Sequence, residues 1–396
     1  MKRLSFKSIT LMCCMALSFG ACQDIVTYND NYDDEMASSG APVIDAVYDS
    51  KDRDKLLPIT DGNLEQMIVL DGSNLSRVRK VMFNDVELPV GEVYATASSA
   101  YLPIPRQIPL EVNNKLYYET ELGSTTYDFT VSVPLVQVDG LYNEFALPGT
   151  SVQLKGKYFD LYGFGGANST STVKMNGVEL EVDSISDKYM SVVIPEDAQD
   201  NSVIEVSYMG AGSVAHTEKI PYRMTDAIIW NLSHPDDYGL WAGKELIINE
   251  AGDNEPEILY GPYFRVTGSY GAWNWTNLVC GGFNCPADVA AAPADYNFKF
   301  EVYSPTGHPF YDSAGYGYLI QLNNGNYPWN PSANGSFNTY GKWCTVSIDL
   351  QTVSGNAFSE GWTGLSFILQ PNSDWNVDHS FANIRICLLY TSDAAD

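Results

Sequence analysis

The sequence predicts an all-β protein, two small β-sandwiches followed by a larger jelly-roll sandwich, and three observations predict it. First, a unit of about ninety residues occurs twice. Pro42-Val-Ile, Ile68-Val-Leu-Asp-Gly72, Val81-Met-Phe-Asn-Asp-Val-Glu-Leu88 and Tyr101-Leu-Pro-Ile-Pro105 return as Pro134-Leu-Val, Val152-Gln-Leu-Lys-Gly156, Val173-Lys-Met-Asn-Gly-Val-Glu-Leu180 and Ser191-Val-Val-Ile-Pro195. Second, the apolar residues alternate in short runs broken by Gly, Pro, Asn-Asp and Asn-Gly, with no long helical periodicity; Asn176-Gly177 is a strong hairpin turn. Third, from Thr225 onward Trp appears and Gly, Asn and Tyr become dense, which marks a further all-β domain.

The elements follow in chain order. Lys2, Arg3 and Lys7 precede an uncharged apolar run from Ile9 to Leu17, and Ser18-Phe-Gly-Ala-Cys22 ends in small residues before a cysteine. Residues 1–21 therefore read as a lipoprotein signal peptide, with Cys22 as the acylated residue that anchors the mature chain to a membrane. Residues 22–40 are polar and acidic and read as a flexible tether. The two repeats occupy 41–133 and 134–224. Residues 225–386 form the third domain, whose strands are expected at Tyr296–Tyr303, Tyr316–Leu322, Trp343–Leu350, Leu365–Leu369 and Phe381–Ile386. Residues 387–396 resemble a translated sequencing adapter and are set aside as an artefact.

The formal charge is −27 and becomes more negative once the leader, which carries three basic residues, is removed. Such a chain has no basic surface to neutralise phosphates, so nucleic acid is excluded as a partner and polyanionic glycans are disfavoured. The expected ligand is uncharged. Four cysteines remain beyond Cys22: Cys280, Cys285, Cys344 and Cys387. Export allows a disulfide between Cys280 and Cys285 across a short Gly-Gly-Phe-Asn loop, though spacing alone does not fix connectivity.

All eight tryptophans lie between Trp230 and Trp375. Gly271-Ala-Trp273-Asn-Trp275-Thr276 and Asn326-Tyr327-Pro-Trp329-Asn-Pro331 set flat apolar rings beside amides and hydroxyls, the mixture that stacks on the C–H face of a sugar while bonding its hydroxyls. A glycan platform is expected at Trp273, Trp275, Tyr327, Trp329 and Trp375, with Asn274, Asn277 and Asn330 as hydrogen-bonding neighbours. Trp343 is assigned to the core.

A glycoside hydrolase is the main rival reading, and Asp236, Asp237, Glu245, Glu250, Asp253, Glu255, Glu257 and Glu301 are the available carboxylates. No run places several of them on one strand face. His216, His234, His308 and His379 are scattered and no G-x-S-x-G elbow occurs, so a nucleophilic triad is not expected. Neither a metal site nor a cofactor is expected. A structural adhesin or protein-binding surface module is the third reading. Binding to glycans separates it from the first, and release of reducing sugar separates either from an enzyme.

The repeat pattern, a glycine-terminated strand, a V-x-[FM]-N-[GD] hairpin and a V-x-[IV]-P strand, resembles the IPT/TIG family of immunoglobulin-like domains over about residues 41–225. Gly341-Lys-Trp343 with the alternating strand to Leu350, and the final Phe381-Ala-Asn-Ile-Arg-Ile386, resemble carbohydrate-binding jelly rolls. The order of lipid cysteine, acidic tether, tandem IPT/TIG-like modules and aromatic-rich domain is similar to that of the surface glycan-binding lipoproteins of Bacteroidetes polysaccharide-utilisation loci, in particular the type with a C-terminal xyloglucan-binding domain. That resemblance implies a non-catalytic, lipid-anchored protein displayed on the outer membrane. It further implies capture of a neutral plant-type polysaccharide, xyloglucan or a related β-glucan or hemicellulose, and a TonB-dependent glycan transporter as partner.

Overall fold

The structure is a computed structural model that describes residues 38–166, 169–310, 317–323, 325–331, 337–355 and 359–389. Cys22, the leader and most of the tether lie outside these residues. Strands β1 (Val43–Asp49), β2 (Asp61–Asn63), β3 (Met67–Ser73), β4 (Val78–Phe83), β5 (Val86–Leu88), β6 (Tyr94–Ala95), β7 (Ser99–Pro103), β8 (Lys115–Thr120), β9 (Gly123–Asp128) and β10 (Thr130–Ser132) build the first repeat. They form the antiparallel sheets β1-β3-β7-β6 and β5-β4-β8-β9, with a short parallel pair β10-β2. Alternate residues Val47, Ile68, Leu70, Val81, Phe83, Ala100, Leu102, Leu116 and Tyr118 point between the sheets and are buried, as the period-2 pattern requires.

The second repeat reproduces this plan. β11 (Gln137–Leu141), β12 (Ser151–Lys157), β16 (Tyr189–Val193) and β15 (Val182–Ile185) make one sheet. β14 (Val178–Glu179), β13 (Thr172–Met175), β17 (Ser202–Met209) and β18 (Ala215–Tyr222) make the other. The β13–β14 hairpin turns on Asn176 (φ 51°) and Gly177 (φ 82°), both left-handed, the geometry an Asn-Gly turn supplies. The sequence expectation of tandem sandwiches holds.

The C-terminal sandwich has β19 (Ile247–Ile248), β20 (Tyr263–Tyr270), β27 (Trp375–Leu388), β22 (Tyr296–Tyr303) and β25 (Cys344–Asp349) in one sheet. β21 (Thr276–Cys285), β26 (Gly361–Leu369), β23 (Tyr318–Leu322) and β24 (Gly325–Trp329) make the other. Counted from β20, the two sheets run first-eighth-third-sixth and second-seventh-fourth-fifth, which is jelly-roll winding. Phe264, Phe298, Phe300, Phe367 and Phe381 fill the space between them, with Phe264 stacked on Phe381 at 4.9 Å. Burying each such ring contributes about 2–3 kcal/mol. The last strand runs beyond Ile386, with Cys387 and Leu388 paired to Asn297 and Tyr296.

By contact density the chain divides into two compact units. One holds the described residues up to Leu135 with Met209–Ala215, and the other holds Val136–Tyr208 with the described residues from His216. Within the second unit the segment after β11 packs on the outer face of the five-stranded sheet. Lys299 donates to Glu144 (2.6 Å), Arg385 donates to Glu144 (2.7 Å) and to both oxygens of Glu301 (2.8 and 2.9 Å), and Thr345 donates to Glu301 (2.8 Å). Arg385 also lies 4.8 Å over the Phe145 ring. Burial raises the Glu144 carboxyl, but Arg385 and Lys299 outweigh it and hold the group below the usual carboxylate range. That sheet face is therefore closed; on the outer face of the four-stranded sheet Asn277, Asn284, Asn326 and Trp362 are exposed around a buried centre of Cys280, Ser366 and Ile368.

The expected Cys280–Cys285 disulfide is corrected here. Both cysteines are free and buried, and they lie on one continuous strand, β21. Five residues of extended chain separate their Cα atoms by roughly 16 Å, whereas a disulfide needs about 4.4–6.8 Å. The Gly-Gly-Phe-Asn stretch between them is strand, not loop.

Candidate functional site

The strands of the four-stranded sheet, β21, β26, β23 and β24, contain no Asp, Glu, Lys or Arg. The opposite sheet carries Arg265, Lys299, Glu301, Asp349, Asp378 and Arg385. In a chain of formal charge −27, this separation leaves one face that is neutral and amide-rich.

Strand parity explains which side chains reach it. Leu365, Phe367 and Leu369 of β26 point into the core, so Trp362, Gly364, Ser366 and Ile368 point out. Across the sheet the outward rows are Asn326–Gln321–Ser366–Cys280 and Pro328–Leu319–Ile368–Asn277. Gln321 donates to Asn326 (3.0 Å). Indoles stand at both ends of this face. Trp275 (46 % exposed) donates from Nε1 to Asn277 (3.0 Å). Trp362 (58 % exposed) lies over Gly282, where a Cβ would sit 2.8 Å from the ring, and against Gly239. A side chain at position 282 would displace the indole, so Gly282 fixes where the Trp362 ring lies. From Asn277 to Gly282 is roughly 15 Å along the strand, room for several linked sugar rings.

Two further indoles flank the face. Trp241 (67 % exposed) donates its backbone N–H to the Cys280 carbonyl (3.0 Å) while the Cys280 backbone N–H donates to Ala242 O (3.2 Å), so two residues oppose one at the edge of β21. Trp273 (67 % exposed) has φ of 60°, a left-handed backbone that costs a non-glycine residue about 1–2 kcal/mol. The loop is held there from both sides: Trp273 N–H donates to Pro371 O (2.8 Å), Gln370 donates to Trp273 O (3.3 Å) and Ala272 N–H donates to Asp374 (2.9 Å). A large apolar side chain kept exposed on a strained, well-tied backbone makes Trp273 a candidate ligand contact.

The structure separates the residues expected from sequence. Trp273, Trp275, Asn274 and Asn277 are exposed at the head of β21, and Asn330 is exposed after β24. Tyr327 is half-buried and packs on the core. Trp329 (3 % exposed) and Trp375 (2 %) are corrected: both are core. Trp329 packs edge-on to Phe300 at 5.2 Å, and Trp375 edge-on to His379 at 5.3 Å. The prolines flanking Trp329 suggested a loop, but β24 is an edge strand, where proline is tolerated, and its parity turns Trp329 inward opposite Tyr318. Trp343 is buried, donating from Nε1 to Glu257 O (2.9 Å). The sequence reading missed Trp241 and Trp362; the alternation Trp362-Thr-Gly-Leu365-Ser-Phe367-Ile-Leu369 carries the signal for Trp362.

Of the carboxylates considered for hydrolysis, Glu301, Glu255 and Asp236 are engaged in ion pairs. Glu301 is sealed beneath Glu144, Glu255 and Asp378 both bind Arg265 (2.9 and 2.8 Å), and Asp236 binds Lys244 (2.5 Å). Among the described residues no group of three or more His, Cys, Asp or Glu could hold a metal ion.

Residues 222–388 match the family model described as the surface glycan-binding protein B xyloglucan binding domain. A curated relative, an IPT/TIG domain-containing protein from Bacteroides ovatus, is 29% identical over 106 residues. That stretch is 25% of this chain and only 22% of the relative's length. Among solved structures, surface glycan-binding protein PbSGBP-B from Prevotella bryantii is 20% identical with a TM-score of 0.51, over 89% of this chain and 99% of that one. An SGBP-B from a complex xyloglucan utilization locus in Bacteroides uniformis is 16% identical with a TM-score of 0.44, over 88% and 99%.

Proposed function

Because residues 222–388 match the model of the surface glycan-binding protein B xyloglucan binding domain, we propose that this chain captures a neutral polysaccharide, xyloglucan or a related β-glucan, and does not cleave it. The observation that carries this reading is the uncharged sheet face β21-β26-β23-β24 with exposed indoles at both ends. Trp275 and Trp362 are the principal stacking rings, Trp273 and Trp241 extend the platform, and Asn277, Gln321, Asn326 and Asn284 supply hydrogen bonds to hydroxyls. A pyranose covering one indole face removes about 60 Å² of apolar surface from water, worth about 1.5 kcal/mol per ring. Two to three stacked rings, less the cost of ordering the polymer, give dissociation constants from about millimolar to micromolar.

The IPT/TIG-like repeats and the tether carry this reader away from the membrane, the lipid on Cys22 attaches it to the outer cell surface, and a TonB-dependent transporter receives the captured glycan. Structural matches to surface glycan-binding proteins support the surface role.

Titration calorimetry with xyloglucan and mixed-linkage glucan oligosaccharides tests the site. Trp275→Ala and Trp362→Ala should each weaken binding about tenfold or more with the melting temperature nearly unchanged, and the protein should release no reducing sugar. Undiminished affinity in both variants would remove the face from consideration.

A further inference from the structure

The sheet β1-β3-β7-β6 of the first repeat has an outward face that the fold does not require to be aromatic. Tyr48 pairs with Val69, Val69 with Tyr101 and Tyr101 with Tyr94, and Pro58 bridges to Tyr48 on the other side. Pro58–Tyr48–Val69–Tyr101–Tyr94 is thus one row crossing five chain segments, roughly 19 Å long. Its neighbours in sequence, Val47, Ile68, Leu70 and Ala100, fill the core, so the row faces away from it. Tyr94 and Tyr101 are 56 % and 42 % exposed, while Val69 between Tyr48 and Tyr101 is covered.

The duplication supplies an internal control. The same positions in the second repeat are Tyr142, Gln153, Ser191 and Ser184: Tyr142 N–H donates to Gln153 O, Gln153 pairs with Ser191 and Ser191 with Ser184. A sandwich of this plan forms with Gln and Ser there, so the valine and two of the tyrosines are not dictated by folding.

We propose that this row is a second carbohydrate-contacting surface that takes a stretch of an uncharged glycan chain, independently of the indole face. The choice of glycan rests on the function proposed above. Charge selects the occupant. No row residue is charged, and Asp71, two positions from Val69 on the same strand, is ion-paired with Lys55 (2.6 Å). A second copy of a chain of charge −27 would bring strong like-charge repulsion to this surface. A neutral polymer of rings brings none, and its C–H faces match tyrosine rings while its hydroxyls match phenols.

The test uses the whole soluble chain beginning after Cys22, with Tyr94→Ser/Tyr101→Ser, which installs residues that the second repeat already tolerates, and Tyr94→Phe/Tyr101→Phe, which keeps the rings. Each is made in the native background and with Trp241, Trp273, Trp275 and Trp362 all changed to Ala. Retention in affinity gels containing long-chain xyloglucan or mixed-linkage glucan is measured, together with calorimetry on short oligosaccharides and sedimentation velocity. The serine pair should weaken retention by long polysaccharide about five- to tenfold, leave the affinity for short oligosaccharides unchanged, and abolish the residual retention of the four-indole variant. The phenylalanine pair should retain most of it. Unchanged retention with the serine pair in both backgrounds overturns the proposal, as does a native dimer that the serine pair dissociates, which would assign the row to self-association. Full retention and oligosaccharide binding by the four-indole variant alone would instead refute the indole face.

Discussion

Glu144→Gln is the most discriminating single change in the second unit. Glu144, Lys299, Glu301 and Arg385 are all at least nine-tenths buried and their charges balance, two carboxylates against two cations. Lys299 binds one Glu144 oxygen and Arg385 the other. A glutamine has the same shape, but its NH2 must face one of the two cations whichever way the amide is turned, and one positive charge is left unpaired in the interior. Breaking a buried pair in this way costs about 3–5 kcal/mol, and at about 2–4 °C per kcal/mol for a unit of this size the unfolding midpoint should fall by roughly 10 °C. Thermal melts followed by near-ultraviolet circular dichroism measure it, with Asp236→Asn, which breaks the exposed ion pair to Lys244, as the control expected to leave the midpoint in place. The same reasoning makes a fragment beginning at residue 225 less stable than one beginning at 136, since it lacks Glu144 and Phe145. A Glu144→Gln midpoint no lower than that of Asp236→Asn would show that the network does not hold the unit together.

Three further outcomes are expected. His379 is buried, accepts at Nδ1 from Tyr318 (2.7 Å) and donates from Nε2 to His308 O (2.9 Å), and burial lowers its pKa from 6.5 to about 4. The unfolded chain therefore binds the proton first, and stability is lost as pH falls from about 6.5 to about 4. The loss attributable to His379 should reach about 2–3 kcal/mol at pH 4.5, read as the part of the pH dependence of denaturant unfolding that His379→Gln removes. Trp329→Ala and Trp375→Ala should each cost about 3–5 kcal/mol of stability, in contrast to the exposed indoles, and thermal melts of the set check this. Cys280, Cys285, Cys344 and Cys387 should all react with a thiol reagent in unfolded protein prepared without reductant, and none in the native state, where burial raises every one of the four thiols. Two reactive thiols instead of four would reinstate a disulfide.

Much of the fold is legible in the sequence because its signals are local. The period-2 runs, the Asn-Gly turn at 176–177 and the repeated segments each specify their own strand and turn; in the last strand parity pairs Ile384 with Ile386, but Phe381 reaches the same core only because the strand bulges at Asn383 (φ 50°), which alternation does not foretell. The neutrality of β21, β26, β23 and β24 is equally a property of sequence once the strands are known. What sequence does not determine is which indole is exposed, since that depends on register and neighbours. Trp329 and Trp362 both sit among glycines and asparagines, yet one faces Tyr318 across β23 and the other overlies Gly282 on the far side of the same sheet. Nor does it determine which sheet face is free. Glu144 is separated from Arg385 by 241 positions, and only the tertiary fold brings that carboxylate onto the charged sheet, closing it and leaving the exposed indoles Trp275 and Trp362 to the uncharged face.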